Sequence, residues 1–220
     1  MEYLDYGKLY QLQDEVLDIV FQEETEFYLT GGTCLNRFYF EKRYSDDLDL
    51  FTHCSDTFSY SVRAVTGRFT QKNMVVKKLL ESRDFIRIHL TKKEIVLQVD
   101  FVNDRIQRFG DFSYQKGYRL DNTMNILSNK ITAVIGRDNP KDVFDIFLIA
   151  RYQPVDWGKI LAEASEKLHF QKEDLLYRLR TFPYSLLNSL NLVDEQFLDN
   201  FELDFQNIIE EIQKSSFLPN

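Results

Sequence analysis

The stretch GGTCLNRFYFEKRYSDDLDLF, residues 31–51, contains the features that decide the fold of this chain. Two glycines follow an apolar run, and three aspartates then fall within four positions, at 46, 47 and 49. Like charges this close repel one another, so they need either open water or a cation between them. Residues 31–51 therefore raise the question of what the carboxylates face.

The local pattern predicts a strand, a helix and a second strand. We expect a short buried strand over residues 27–30, a helix over 33–40 and a strand over 48–52. Alternate side chains of a strand share one face, so Asp47 and Asp49 point the same way, about 7 Å apart, while the leucines beside them enter the core. Two such carboxylates can hold a hard cation such as Mg²⁺.

A third carboxylate and a glycine turn extend this pattern. Asp100 is the only charge between Ile95 and Val102, and on a neighbouring strand it would complete a three-carboxylate site; the alternative is a buried aspartate paired with an arginine. Gly31-Gly32-Thr33 offers backbone N–H groups to an anion at a helix N-terminus, although such a triplet is also a common turn. Phosphate binding beside metal-bound carboxylates is what nucleotidyl transfer requires.

The rest of the chain divides into a strand-rich half and a helical half. The pattern predicts a helix over 8–25 and another over 57–70, followed by strands over 75–80, 85–90 and 95–102. Beyond Gly117 the period is helical, and Asn139-Pro140 predicts an N-cap and first position of a helix that ends near Arg151. We place the domain boundary at residue 115, with domains 1–115 and 116–220.

Composition and charge restrict the class of protein. No apolar run is long enough to span a membrane, and neither a secretory signal nor a zinc or disulfide pattern is recognisable, so the sequence is typical of a cytoplasmic protein. The net charge of −8 argues against a general nucleic-acid binder. Residues 61–93, however, carry nine basic side chains against two acidic ones, so a polyanionic partner would bind there; a set of solvated basic side chains is the alternative.

The ordered motif resembles a known family. GGTCLNRFYFEKRYSDDLDLF is similar to the glycine and D-x-D signature of the nucleotidyltransferase-fold superfamily. Its residue pattern most resembles that of the AbiEii/AbiGii toxin-type nucleotidyltransferases. The block ILSNKITAVIGRDNPKDVFDIFLIA, residues 126–150, looks like the second-domain block of that family. The resemblance implies an α+β fold, with a mixed β-sheet flanked by helices and followed by a helical C-terminal domain.

The resemblance also implies roles for individual residues. Asp47, Asp49 and Asp100 would be catalytic and would bind one or two Mg²⁺ ions. The residues assigned to the nucleotide are Gly31, Gly32, Thr33, Ser45, Lys130 and Asp142. Lys130 would be catalytic too, facing the triphosphate, so its removal should reduce turnover while leaving thermal stability nearly unchanged; a surface lysine is the alternative.

Two aspartates of the second block have open roles. Asp142 would either cap the N-terminus of the helix that begins at Pro140 or act in catalysis. Asp145 is expected to anchor an arginine or Lys130 across the domain interface, because it lies among apolar side chains.

The function implied is Mg²⁺-dependent transfer of a nucleoside monophosphate from an NTP to a hydroxyl. In the toxin branch the acceptor would be a tRNA 3′ end, and a separate antitoxin protein would be the partner. A protein or a small molecule such as an aminoglycoside is an alternative acceptor. A non-catalytic nucleotide-binding module is the alternative from a different class, which the retention of three mutually repelling carboxylates disfavours.

Overall fold

The computed structural model describes residues 4–23 and 26–217, which form two compact units. Of these described residues, the first unit holds 4–23, 26–34, 45–106 and 111–121, and the second holds 35–44, 107–110 and 122–217. Within the described residues, no helix has both the length and the apolar character needed to cross a membrane. The domain boundary at residue 115 stays a prediction, although neither unit is continuous in sequence.

The first unit is built on a seven-stranded mixed sheet, and the strand that carries the aspartates lies at its centre. The strands are β1 (Tyr28–Thr30), β2 (Asp47–His53), β3 (Val75–Glu81), β4 (Phe85–Lys92), β5 (Ile95–Asp104), β6 (Ser113–Gln115) and β7 (Tyr118–Leu120). Their order across the sheet is β3-β4-β5-β2-β1-β7-β6. β2 runs parallel to β5 and β1 runs parallel to β7, whereas the other neighbours are antiparallel.

Helices cover one face of this sheet. They are α1 (Tyr6–Gln22) and α3 (Phe58–Gln71), while α2 (Gly31–Phe38) directly follows β1. Strand β4 alternates between buried and half-buried residues, which places one side of the sheet in the core. Phe58 of α3 contacts Phe27, which packs against Phe101 of β5, so α3 lies on the apolar face. The opposite face carries Arg87, Asp100 and Asp49, which lie opposite one another in the register of β4, β5 and β2.

The second unit is helical. It contains α4 (Thr123–Gly136), α5 (Pro140–Tyr152), α6 (Trp157–Lys167), α7 (Lys172–Thr181), α8 (Phe201–Lys214) and two 3₁₀ helices, Tyr184–Ser189 and Glu195–Leu198. Helix α4 packs against α5, α6 and α7. Phe147 of α5 contacts an aromatic group formed by Phe197, Phe201 and Phe205.

Most of the predicted elements are present, within a few residues at their ends. The helix predicted over 8–25 ends at Gln22, with residues 24 and 25 outside the described part of the chain. The Asn139 side chain accepts a hydrogen bond from the backbone N–H of Lys141, which confirms the predicted N-cap.

One prediction is wrong: residues 118–120 are not helical but form β7, the second strand of a hairpin with β6. Its two-residue loop, Lys116-Gly117, has positive φ at both positions, as tight hairpin turns require. Strands of three residues are too short to show a period in the sequence.

Candidate active site

The glycine turn and the aspartate strand meet at one point of the first unit. Gly31 has a φ of 71°, and a Cβ placed on it would lie 2.1 Å from Oδ2 of Asp49. No side chain fits in that space, and an L-residue would also be strained at this φ. A glycine is therefore required here, because the Asp49 carboxylate lies directly against the backbone at the start of α2.

Asp47 and Asp49 lie on the polar face of β2. The strand alternates between half-buried and buried positions from Asp47 to Thr52, and both aspartates are half-buried. In the register of the sheet, Asp49 lies opposite Thr30 on β1 and opposite Asp100 on β5. Residues directly opposite one another on adjacent strands share a face, so the prediction that Asp100 lies on a strand beside the D-x-D motif agrees with the observed register.

Asp100 is engaged by an arginine. Arg87 of β4 lies opposite Asp100, and its Nε and Nη2 donate hydrogen bonds of 2.7 and 2.6 Å to the two carboxylate oxygens. The Asp100 hydrogen bonds raise the pKa of Arg87, and the negative charges of Asp49 and Asp47 also contribute. Arg87, Asp100, Asp49 and Thr30 thus form one line across four strands, which we call the cross-strand line.

The end of the cross-strand line at Thr30 leads to a further buried carboxylate. Asp121 directly follows β7 and is fully buried, and it accepts a 2.7 Å hydrogen bond from Thr30 Oγ1. Neither residue was predicted as part of the site. Asp121 gave no periodic signal in the sequence, because it lies at the end of a three-residue strand.

Thr33 and Ser45 are buried beneath this surface. The Thr33 hydroxyl lies 2.8 Å from Ser45 Oγ and also contacts the Asp47 carbonyl, so it ties α2 to the start of β2. Both residues are almost fully buried. Any contact that Thr33 makes with phosphate would therefore come from its backbone N–H, as it would for Gly31 and Gly32 at the same helix N-terminus.

The carboxylate oxygens of β2 are suitable ligands for a hard divalent ion. Mg²⁺ is commonly bound through one or two carboxylates together with substrate phosphates, and Asp47 and Asp49 supply two carboxylates on one face. Within residues 4–23 and 26–217, no group of three or more His, Cys, Asp or Glu side chains has the arrangement of a metal site. The three-carboxylate metal site stays a prediction.

Lys130 belongs to a buried ion network in the second unit. Its Nζ lies 2.9 Å from Asp142 Oδ1 and 2.8 Å from Asp145 Oδ2. The Lys130 side chain is only 12% exposed, so the alternative of a surface lysine is wrong. Arg43 binds Asp145 through two hydrogen bonds, and Arg137 does the same for Asp142. Asp145 therefore pairs with both an arginine and Lys130, as expected, although all three residues belong to the second unit.

Electrostatic pairing outweighs burial in this network. Burial raises the pKa of Asp145, but the charges of Arg43 and Lys130 together lower it to about 2. Burial likewise lowers the pKa of Lys130, yet the carboxylates of Asp145 and Asp142 leave it above its ordinary value. Burial raises the pKa of Asp142, and Lys130 and Arg137 bring it below the ordinary range. All these groups are therefore charged at neutral pH.

Asp142 occupies the first turn of α5, as the sequence predicts, but its carboxylate forms ion pairs with Lys130 and Arg137. Arg43, which holds Asp145, was not predicted; it is almost fully buried, and nothing in the local sequence signals this. Arg87 had a weak signal, because it alternates with buried isoleucines in FIRIHL and so falls on the polar face.

The basic segment 61–93 divides into two groups. Four of its nine basic side chains pair with carboxylates: Arg68 with Glu23, Lys78 with Glu81, Arg87 with Asp100 and Lys92 with Glu15. The other five are exposed: Arg63, Lys72, Lys77, Arg83 and Lys93. The number of basic side chains available to a polyanion is therefore smaller than the sequence suggests.

Comparison with known proteins shows which solved structures share this fold. The chain has a TM-score of 0.61 to JHP933 from Helicobacter pylori, at 18% identity over 96% of this chain and 95% of that one. It also has a TM-score of 0.53 to MenT4, a nucleotidyltransferase toxin from Mycobacterium tuberculosis, at 15% identity over 96% and 94% of the two chains. The comparison with curated proteins gives no match.

The family follows from the sequence model. Residues 17–218 match the family described as the nucleotidyl transferase AbiEii toxin of type IV toxin–antitoxin systems. The chain belongs to this family, which confirms the resemblance of the two motifs, and it is a nucleotidyltransferase.

Proposed function

We propose that this protein transfers a nucleoside monophosphate from an NTP to a hydroxyl at the 3′ end of a tRNA, with Mg²⁺ as the metal. The observation that carries the proposal is the contact between Gly31 and Asp49, which brings a helix N-terminus against the carboxylate strand. Family membership supports a toxin role and a cognate antitoxin as partner. We further propose that the protein acts in the cytoplasm.

In this proposal, different residues of the first unit bind the metal ion and the phosphates. Asp47 and Asp49 would hold the divalent ion, which when bound neutralises phosphate charge and favours attack at phosphorus. The backbone N–H groups of Gly31, Gly32 and Thr33 would bind phosphate oxygens at the N-terminus of α2. The Ser45 hydroxyl would act by fixing Thr33, because both side chains are buried together.

In the reaction, the oxygen of the acceptor hydroxyl forms a bond to the α-phosphorus of the NTP, and the proton of that hydroxyl passes to water. The bond from that phosphorus to the oxygen bridging to the β-phosphate breaks, and pyrophosphate leaves. Stabilising the charge on the phosphates is the main task of the protein, since little covalent chemistry falls to side chains in phosphoryl transfer.

Lys130 and Asp142 enter this proposal through the family motif alone. Lys130 would face the triphosphate, and Asp142 would hold it in position. Because Lys130 is buried between two carboxylates, a role in catalysis must be measured separately from its role in stability. Activity per folded molecule, with folding followed by circular dichroism, separates the two.

The test of the proposed function is incubation with each α-labelled NTP, Mg²⁺ and total RNA, with Asp49→Asn as the matched inactive control. We expect one NTP to label a band of tRNA size, and periodate oxidation of the RNA 3′ end to abolish the label. Label that enters protein or a small molecule, with none in RNA, would contradict the tRNA acceptor while leaving nucleotidyl transfer intact.

A further inference from the structure

Arg87 engages Asp100, the carboxylate that the sequence predicts as the third metal ligand. Its guanidinium binds both oxygens of Asp100 at 2.7 and 2.6 Å. The Asp100 side chain is 9% exposed, while that of Arg87 is 35% exposed, so the arginine lies between the carboxylate and solvent. This two-pronged geometry is specific to arginine, whose planar fork matches a carboxylate.

The guanidinium is also held in place by an aromatic ring. Its carbon lies 5.5 Å from the centre of the Phe85 ring, two residues earlier on the same strand face. In the register of the sheet, Arg87 lies opposite Asp100, and Asp100 lies opposite Asp49. One cation, held by a ring and by Asp100, therefore already lies in the row that carries Asp49.

The charges of this group match a single divalent ion. Asp47, Asp49 and Asp100 contribute three negative charges and Arg87 one positive charge, which leaves two negative charges for one divalent cation. Two divalent ions held by the protein alone would exceed the carboxylate charge. A hard cation also prefers to bind oxygens that are not already engaged by a guanidinium, because it would have to displace two charge-assisted hydrogen bonds.

We propose that Arg87 is the permanent counter-ion of Asp100, and that the divalent ion at this site is held by Asp47 and Asp49 without Asp100. This inference rests on the proposed function, since it assumes a divalent ion on β2. Asp100 is then a positioning residue, whose task is to hold the Arg87 guanidinium beside the metal. The protein alone binds one divalent ion per chain.

The deciding variant removes the pair without changing net charge. In Asp100→Asn with Arg87→Gln, asparagine keeps the shape of the aspartate, glutamine keeps the first carbons of the arginine side chain, and no charge is left buried and unpaired. We would measure Mn²⁺ binding to the full chain without nucleotide, by the electron paramagnetic resonance signal of free Mn²⁺. The dissociation constant of the double variant should stay within about threefold of the parent value, as expected for removing a neutral ion pair.

The single variants at Arg87 and Asp49 should change the affinity for Mn²⁺ in opposite directions. Arg87→Gln frees Asp100 and removes a positive charge, so Mn²⁺ should bind more tightly than in the parent. Asp49→Asn removes a ligand and should weaken Mn²⁺ binding by at least about tenfold. The matched control is Asp84→Asn with Arg105→Gln, a second Asp–Arg pair of the first unit with a distance of 2.7 Å. This control should leave Mn²⁺ binding unchanged.

The outcomes separate this inference from the proposed function. A loss of about tenfold or more in the double variant would make Asp100 a ligand and overturn the inference. Two Mn²⁺ ions per parent chain, or an Arg87→Gln variant that binds as the parent does, would also overturn it. If Asp47→Asn and Asp49→Asn leave Mn²⁺ binding unchanged, the metal site of the proposed function itself fails. If Arg87→Gln does not fold, the charge-neutral double variant still decides.

Discussion

Gly31 and Asp49 are packed so closely that a single Cβ on the glycine would overlap the aspartate carboxylate, at 2.1 Å from Oδ2. Two segments that are 18 positions apart in sequence therefore form one surface. In the proposed function, the glycine binds the nucleotide and the aspartate binds the metal, so this contact is where the proposed chemistry would take place.

The contact predicts that Gly31→Ala is damaging. The new methyl group must displace the Asp49 carboxylate, and the φ of 71° disfavours any L-residue by about 1–2 kcal/mol. We expect a lower melting temperature and loss of nucleotide transfer. The control is Gly67→Ala within α3, where a Cβ meets no atom within 4 Å and should stabilise the helix by up to about 1 kcal/mol. Equal melting and activity of the two variants would contradict this account.

Lys130 should matter for stability as well as for any catalysis. Lys130→Ala leaves Asp142 and Asp145 buried with one cation fewer, which typically costs about 3–5 kcal/mol. The sequence alone predicts little loss of stability, and the ion pairs reverse that expectation. Lys214→Ala, which removes an exposed pair with Glu210, should cost no more than about 1 kcal/mol. Urea unfolding measures both, and a Lys130→Ala variant as stable as the parent would show that the network contributes nothing.

Acid should weaken the second unit through Asp145. The pKa of this carboxyl is about 2 in the folded protein against an ordinary value of 3.8. Because the folded pKa is depressed, its contribution is fully present above the ordinary value and is lost as the pH falls toward 2. The contribution is on the order of 2 kcal/mol. Unfolding curves between pH 5 and 2 should show a shallower loss of stability for Asp145→Asn than for the parent, and parallel curves would contradict the assignment.

The basic segment predicts a salt dependence of acceptor binding. If the five exposed basic side chains each contact a phosphate of single-stranded RNA, the plot of log affinity against log salt should have a slope of about −3.5. Lys77→Gln on the edge strand β3 should reduce the slope by about 0.7, whereas Lys214→Gln in the second unit is the control. An affinity that does not change with salt would exclude a polyanionic acceptor at this segment.

Patterns within single segments could be predicted from the sequence, and pairings between segments could not. The alternation in SDDLDLF predicts that Asp47 and Asp49 share a face, and the Asn139-Pro140 pair predicts the start of α5. The partner of Asp100 depends on the register of β4 against β5, which the sequence does not specify. Arg43 is likewise 102 positions from Asp145, so no local signal connects them.

The measurement that tests the central claim most directly is the melting of the parent and Asp49→Asn, with and without Mg²⁺ and NTP, together with nucleotide transfer. Without ligands, the variant should melt no lower than the parent, because one of several repelling charges is gone. At a hundredfold excess over the dissociation constant, the parent should gain about 2.7 kcal/mol, whereas the variant should gain much less and should transfer no nucleotide. A variant that keeps both the ligand-induced shift and the activity would place the metal site elsewhere.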